Sequence, residues 1–93
     1  ELPMKIMIDC SHGNTNKDYR LQPKVAKSIL NQVKKGNQSI MGIMLESNIN
    51  AGNQKITENL NDLKYGVSLT DACIDWETTE DLLMNLRSSL ISK

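Results

Sequence analysis

The chain contains no phenylalanine, and aromatic residues make up only 3% of it. That leaves no base-stacking platform for single-stranded nucleic acid. It also lacks a charge excess: Lys plus Arg and Asp plus Glu both number 11, so the net charge is zero. Neither a nucleic-acid footprint nor one for an anionic membrane is present. No apolar run approaches the roughly 20 residues that span a bilayer. Cysteine is scarce. Cys10 and Cys73 stand far apart and outside any CxxC pair. With no secretory signal, two such thiols suit small buried hydrophobes in a reducing, cytoplasmic compartment better than a disulfide framework. There is no Gly-rich phosphate loop, nucleophile elbow or HExxH, no internal repeat and no low-complexity segment.

What remains is a 93-residue chain with 39% apolar residues and a single histidine. Its length sets one domain at most, with a core that buries roughly 60–65% of the unfolded surface. The opening "ELPMK" does not start with Met. We expect from this that Glu1 is not the native start and that the chain is a fragment or a processed form.

The order of elements follows from hydrophobic periodicity. "MKIMIDC", Met4 to Cys10, is apolar on both faces, as in a strand of a covered parallel sheet. Leu21, Val25, Ile29 and Val33 then recur every four residues, with Ala26 and Leu30 beside them, which predicts a helix. Pro23 suits its first turn, Lys34 and Lys35 its last, and Gly36 the position just beyond. "IMGIMLES", Ile40 to Ser47, predicts a second strand, in which Gly42 implies a close neighbour. From Asn48 to about Trp76 neither periodicity appears, and a loop this long is usually functional. "ETTEDLLMNLRSSLIS" predicts a closing helix capped by Thr78 or Thr79, with Leu82, Leu83, Leu86 and Leu90 buried. Strand, helix, strand reads as a right-handed βαβ unit of a parallel α/β sheet. Two parallel strands cannot satisfy both of their edges alone, so the pattern is that of part of a larger domain.

In such folds chemistry collects at the carboxyl ends of the strands. The first strand ends in "DCSH" and the second in "MLES", so His12 and Glu46 fall at the same relative place. The long loop offers a third group in "SLTDACIDW", at Asp71 or Asp75. One imidazole and two carboxylates suit Mn²⁺, Fe²⁺, Co²⁺ or Zn²⁺. The plainer alternatives are a strand-end histidine with a structural role, a charge that merely ends a strand, and loop Asp residues that cap turns. The spacings match no local metal motif, and Asp71 and Asp75 are not separated by pattern alone.

Three stretches carry a more specific signal. "MIDCSHGN-N-K", "GIMLESN---GNQ" and "YGVSLTDACIDWE", spread over most of residues 4 to 80, resemble the C-terminal quarter of the class I 3-deoxy-D-arabino-heptulosonate 7-phosphate (DAHP) synthases. The resemblance implies an α/β fold, the last two strand–helix units (seventh and eighth) of a (β/α)8 TIM barrel with parallel strands. It implies one domain fragment over residues 1–93. It further implies a transferase of aldol type that condenses phosphoenolpyruvate with erythrose 4-phosphate and opens the shikimate pathway to aromatic amino acids. The family's divalent metal is held by a Cys, a His, a Glu and an Asp. Carried over, the last three fall on His12, Glu46 and Asp71, which selects Asp71 over Asp75. His12 would also lie beside the phosphoenolpyruvate site and serve catalysis.

The family's ligand Cys and its phosphate-clamping Arg and Lys residues belong to barrel strands upstream of these motifs. Neither Cys10 nor Cys73 matches that ligand. We therefore expect the chain to hold three of four metal ligands, to bind metal weakly and to be inactive alone. Its partners would be the rest of the barrel or another copy of itself. Two alternatives remain at this level. One is a non-catalytic assembly module whose carboxylates play no part. The other is a fragment of the related 3-deoxy-D-manno-octulosonate 8-phosphate synthase, against which the "TDACIDWE" box speaks.

Overall fold

The computed structural model of the chain describes residues 5–91. Strand β1 (Ile6–Asp9) is followed by helix α1 (Gln22–Lys34), strand β2 (Ile40–Met44) and helix α2 (Trp76–Ile91). The two strands pair in parallel, with Ile8 beside Ile43 and Asp9 beside Met44. The architecture is α/β, as the patterning predicts. Met4 and Ser92, the expected ends of the first strand and last helix, lie outside the described residues.

Local chemistry sets the element ends. Pro23 sits in the first turn of α1, where no N–H is needed. Gly36 follows the Lys35 cap with φ +106°, a left-handed value open to glycine. Strand β2 is shorter than the apolar run that predicts it. Its ladder stops at Met44, where β1 also stops at Asp9, so Leu45 to Ser47 find other partners. The register slips between Ile6 and Met7, leaving Met41 two-thirds exposed. The neighbour of Gly42 is the Met7 side chain, at an ordinary 3.5 Å from a built Cβ; the approach is not close enough to require glycine.

The start of α2 differs from expectation. Asp75, not Thr78 or Thr79, is the cap: its carboxylate accepts the Thr78 N–H at 2.8 Å. The helix starts at Trp76, two residues before the first threonine, which puts Thr78 at the position whose N–H a cap receives. Thr79 is buried instead, and its hydroxyl meets Ser47 Oγ at 2.5 Å.

The core is one small cluster of Cys10, Ala26, Ile29 and Leu82, joined by Ile8, Val25, Ile40, Ile43, Leu45 and Leu86. Leu83 and Leu90, expected to be buried, are exposed, as is Leu21. Leu83 and Leu90 border an open apolar cavity between α2, α1 and β2, which leaves them accessible. Accessible surface totals 7064 Å², against about 5,400 Å² for a typical folded monomer of this mass. The two-stranded sheet leaves both outer strand edges unpaired among the described residues.

The segment between β2 and α2 is irregular yet tied down. Gly52 and Cys73 exchange backbone hydrogen bonds at 2.8 and 3.1 Å. The Gln54 amide reaches Lys64 and Val67, and Asn53 reaches the Thr70 carbonyl. Gly66, at φ +69°, is required there, because a Cβ would stand 2.7 Å from Ile49 Cβ. These side-chain staples bring Asp71 back toward the ends of the strands.

Candidate metal centre

Beyond β1 the chain turns sharply. Asp9 accepts the Ser11 N–H at 2.7 Å, and residues His12–Thr15 form a 3₁₀ turn. His12, Asn16 and Lys17 all have positive φ, at 43°, 53° and 64°. Such values are uncommon outside glycine, although His and Asn adopt them more readily than most residues. The turn lifts the imidazole over the carboxyl end of the sheet. Glu46 arrives two residues past β2, and Asp71 comes from the long irregular segment.

The three groups meet. His12 Nε2 lies 2.9 Å from Asp71 Oδ2 and 3.4 Å from Glu46 Oε1. One donor atom from each of His12, Glu46 and Asp71 lies within 4.8 Å of the others. Donor atoms around an ion bound at about 2.1 Å stand roughly 3.0–3.4 Å apart, and the separations of His12 from Asp71 and from Glu46 lie close to that range. The donors, one imidazole nitrogen and two carboxylates, suit a borderline or hard cation. Exposure is graded: the Glu46 side chain is 20% exposed and Asp71 63%, so the site opens on the Asp71 side. Ser11, Lys17 and Asn53 line the same small cavity.

Electrostatics follow from the crowding of carboxylates around one ring. Asp9 Oδ2 sits 2.8 Å from His12 Nδ1. The bonds to Asp9 and then Asp71 push the imidazole pKa up to about 9. The same His12 bond, helped by the Ser11 N–H, holds the Asp9 carboxyl below the usual carboxylate range. Burial pushes the Cys10 and Cys73 thiols up, which disfavours thiolate ligands at either position. Asp75, the other acidic candidate of the loop, is engaged at the start of α2 and is not in the cluster.

Residues 1–84 match the model of the DAHP synthetase I family. The chain belongs to that family. It is 59% identical over 85 residues to a Tyr-sensitive phospho-2-dehydro-3-deoxyheptonate aldolase of Enterobacter agglomerans, covering 91% of this chain and 40% of the relative. It is 56% identical to the Tyr-sensitive aldolase of Escherichia coli, again over 91% of this chain but 24% of the relative. A solved phospho-2-dehydro-3-deoxyheptonate aldolase from Francisella tularensis superposes with a TM-score of 0.82 at 46% identity, over 91% of this chain and 24% of that one. The chain thus spans between a quarter and two-fifths of the length of these DAHP synthetase I relatives.

Three neighbours of the cluster escape motif reading. Asp9 bonds the back of the His12 ring, and the Ser11 hydroxyl donates to Glu46 Oε1. Gln22, fully buried, bonds the Glu46 backbone. A signal for Asp9 exists in the sequence, since an acid three residues before a histidine in a turn can reach its ring. For Gln22 the only signal is an amide at a position where the stripe of α1 asks for a hydrophobe.

Proposed function

We propose that this chain is the C-terminal part of a DAHP synthase barrel, its seventh and eighth strand–helix units. In that barrel it contributes to condensing phosphoenolpyruvate with erythrose 4-phosphate into DAHP and phosphate. The carrying observation is the meeting of His12, Glu46 and Asp71 donor atoms within 4.8 Å on a chain of this family. The aldolases it is similar to and the "TDACIDWE" box favour this reading over an octulosonate synthase.

In this reading His12 through Nε2, Glu46 and Asp71 are three ligands of a divalent cation, Mn²⁺, Fe²⁺, Co²⁺ or Zn²⁺. The fourth ligand, a Cys, comes from the remainder of the barrel. When bound, the ion supplies Lewis-acid polarisation of the aldehyde or of a water. The chain's own residues do the rest. Asp9 keeps the Nδ1 proton, which fixes the tautomer that presents Nε2 to the site. His12 also borders the phosphoenolpyruvate subsite and serves as the catalytic residue of this chain. Two free buried thiols fit the reducing cytoplasm in which this reading sets the protein.

The test is condensation by the intact protein, with the ion supplied. H12A, E46Q and D71N should each abolish turnover and weaken Mn²⁺ binding. A protein that keeps full activity and affinity in H12A overturns the reading.

A second reading has its own observation. Met41, Met84, Leu83 and Ile91 are exposed, and both sheet edges are open among the described residues. We infer that these surfaces pair with the rest of a barrel or with another copy. Size-exclusion at low concentration tests it, and a well-folded monomer argues against it.

A further inference from the structure

We propose that Gln22 is a positioning residue for Glu46: its buried side-chain amide clamps the Glu46 backbone and thereby sets where the Glu46 carboxylate meets a divalent cation. This rests on the metal reading of His12, Glu46 and Asp71 above.

The sheet ends too early to hold Glu46. The last backbone bond between the strand ends runs from Cys10 N–H to the Met44 carbonyl, at 2.8 Å. Two residues on, Glu46 has no strand beside it on that edge. Gln22 takes the strand's place. Its Oε1 accepts the Glu46 N–H at 2.8 Å, and its Nε2 donates to the Glu46 carbonyl at 3.0 Å. On the other side the Ile74 N–H donates to the same carbonyl at 3.0 Å. The Ser11 hydroxyl donates to the carboxylate itself. Glu46 is held at its N–H, its carbonyl and one carboxylate oxygen before any ligand arrives.

The residue type is specific to this task. Gln22 has no exposed surface and stands one turn before buried Ala26, where a hydrophobe would extend the apolar stripe. Burying an amide is unfavourable unless both its groups are bonded. Both are, and both bonds go to one residue. An amide offers a donor and an acceptor in one fork without a change of charge. Asn is one methylene shorter, ionised Glu lacks the donor, and Met keeps the shape but loses both bonds. Pro23, next in the chain, fixes the backbone from which the amide reaches.

A merely structural clamp would lower stability and leave the folded site unchanged. Groups that orient metal ligands instead change affinity, typically by about 10–100-fold. The experiment is Mn²⁺ titration of the intact protein, followed by the EPR signal of free Mn²⁺. It compares wild type, Q22M, E46Q and Q22M/E46Q at a temperature where circular dichroism shows each one folded. We expect Q22M to weaken binding about tenfold. In the E46Q background the same change should have little further effect, because the amide acts through Glu46. Q22N, which keeps the amide but is one methylene too short for both bonds, serves if Q22M does not fold, and should fall between. Q22M that binds like wild type while E46Q is weakened overturns the inference and leaves the metal reading standing. Equal weakening by Q22M in both backgrounds also overturns it. E46Q that binds like wild type overturns the metal reading and the inference together.

Discussion

Asp9 takes the Nδ1–H of His12 at 2.8 Å, and this turns Nε2 toward Asp71 and Glu46. The acid that orients the ring sits at the end of β1, three residues before it, which ties the imidazole to the strand. Asp9→Ala should weaken Mn²⁺ binding about tenfold, and Asp9→Asn, which retains an acceptor, by less. Isothermal titration calorimetry reads both. Unchanged affinity in Asp9→Ala would show that the ring needs no such support.

The metal-free imidazole titrates at about 9, raised first by Asp9 and then by Asp71. Its folded pKa lies above the ordinary 6.5, so the stabilising contacts of the imidazolium are complete below about pH 6.5 and disappear as pH rises through about 9. Denaturant unfolding of the metal-free protein should therefore show stability falling between those values. NMR of the single histidine should place its midpoint near 9, and Asp9→Asn should lower it most. Binding of a cation must displace this proton, so Mn²⁺ affinity should rise with pH up to about 9. A midpoint near 6.5 contradicts all three expectations.

Asp71 and Asp75 lie four residues apart and do different work. Asp71→Asn should weaken Mn²⁺ binding with little change in helix content. Asp75→Ala should leave binding nearly intact and lower the thermal midpoint, because the Thr78 N–H loses its partner. Calorimetry and thermal circular dichroism on the two variants decide it, and the reverse pattern would exchange the two roles.

Leu82 is 3% exposed and packs in the small cluster with Cys10, Ala26 and Ile29. Leu82→Ala should cost about 2–5 kcal/mol, much of the stability expected of a domain this small. Leu83→Ala, at an exposed position on the same helix, should cost far less in the isolated chain. Chemical denaturation measures both, and similar losses would mean that Leu83 is covered in solution.

The 93-residue chain on its own should form no measurable DAHP from phosphoenolpyruvate and erythrose 4-phosphate. Among the described residues, Lys17 is the one lysine or arginine lining the cavity that holds His12, Glu46 and Asp71. Two phosphorylated substrates need more positive charge than that. Phosphate release above background by the purified chain would refute the expectation.

The sequence makes His12 and Glu46 legible because both follow apolar runs that read as neighbouring strands. Asp71 is legible only through the family resemblance, since a loop carries no period that would separate it from Asp75. The helix faces are half legible. Leu82 and Leu86 pack as the stripe predicts, but Leu83 and Leu90 are exposed because burial depends on what lies opposite and not on the stripe. Gln22 and Ser11 stay hidden for another reason. Their bonds to Glu46 join residues 24 and 35 positions apart and involve backbone or hydroxyl groups that no motif records.

The His12–Asp71 contact joins residues 59 positions apart, the longest span among the side-chain bonds of the described residues. Closing a loop of that size is an entropic barrier met late in folding. The strands and α1 can associate without it, but the cluster is not complete until the segment after β2 has been stapled in place. A cation that prefers the complete cluster would draw the chain toward that last step by mass action. Manganese uptake by this chain would then act as a clock for its folding, reporting when the final crossing has closed.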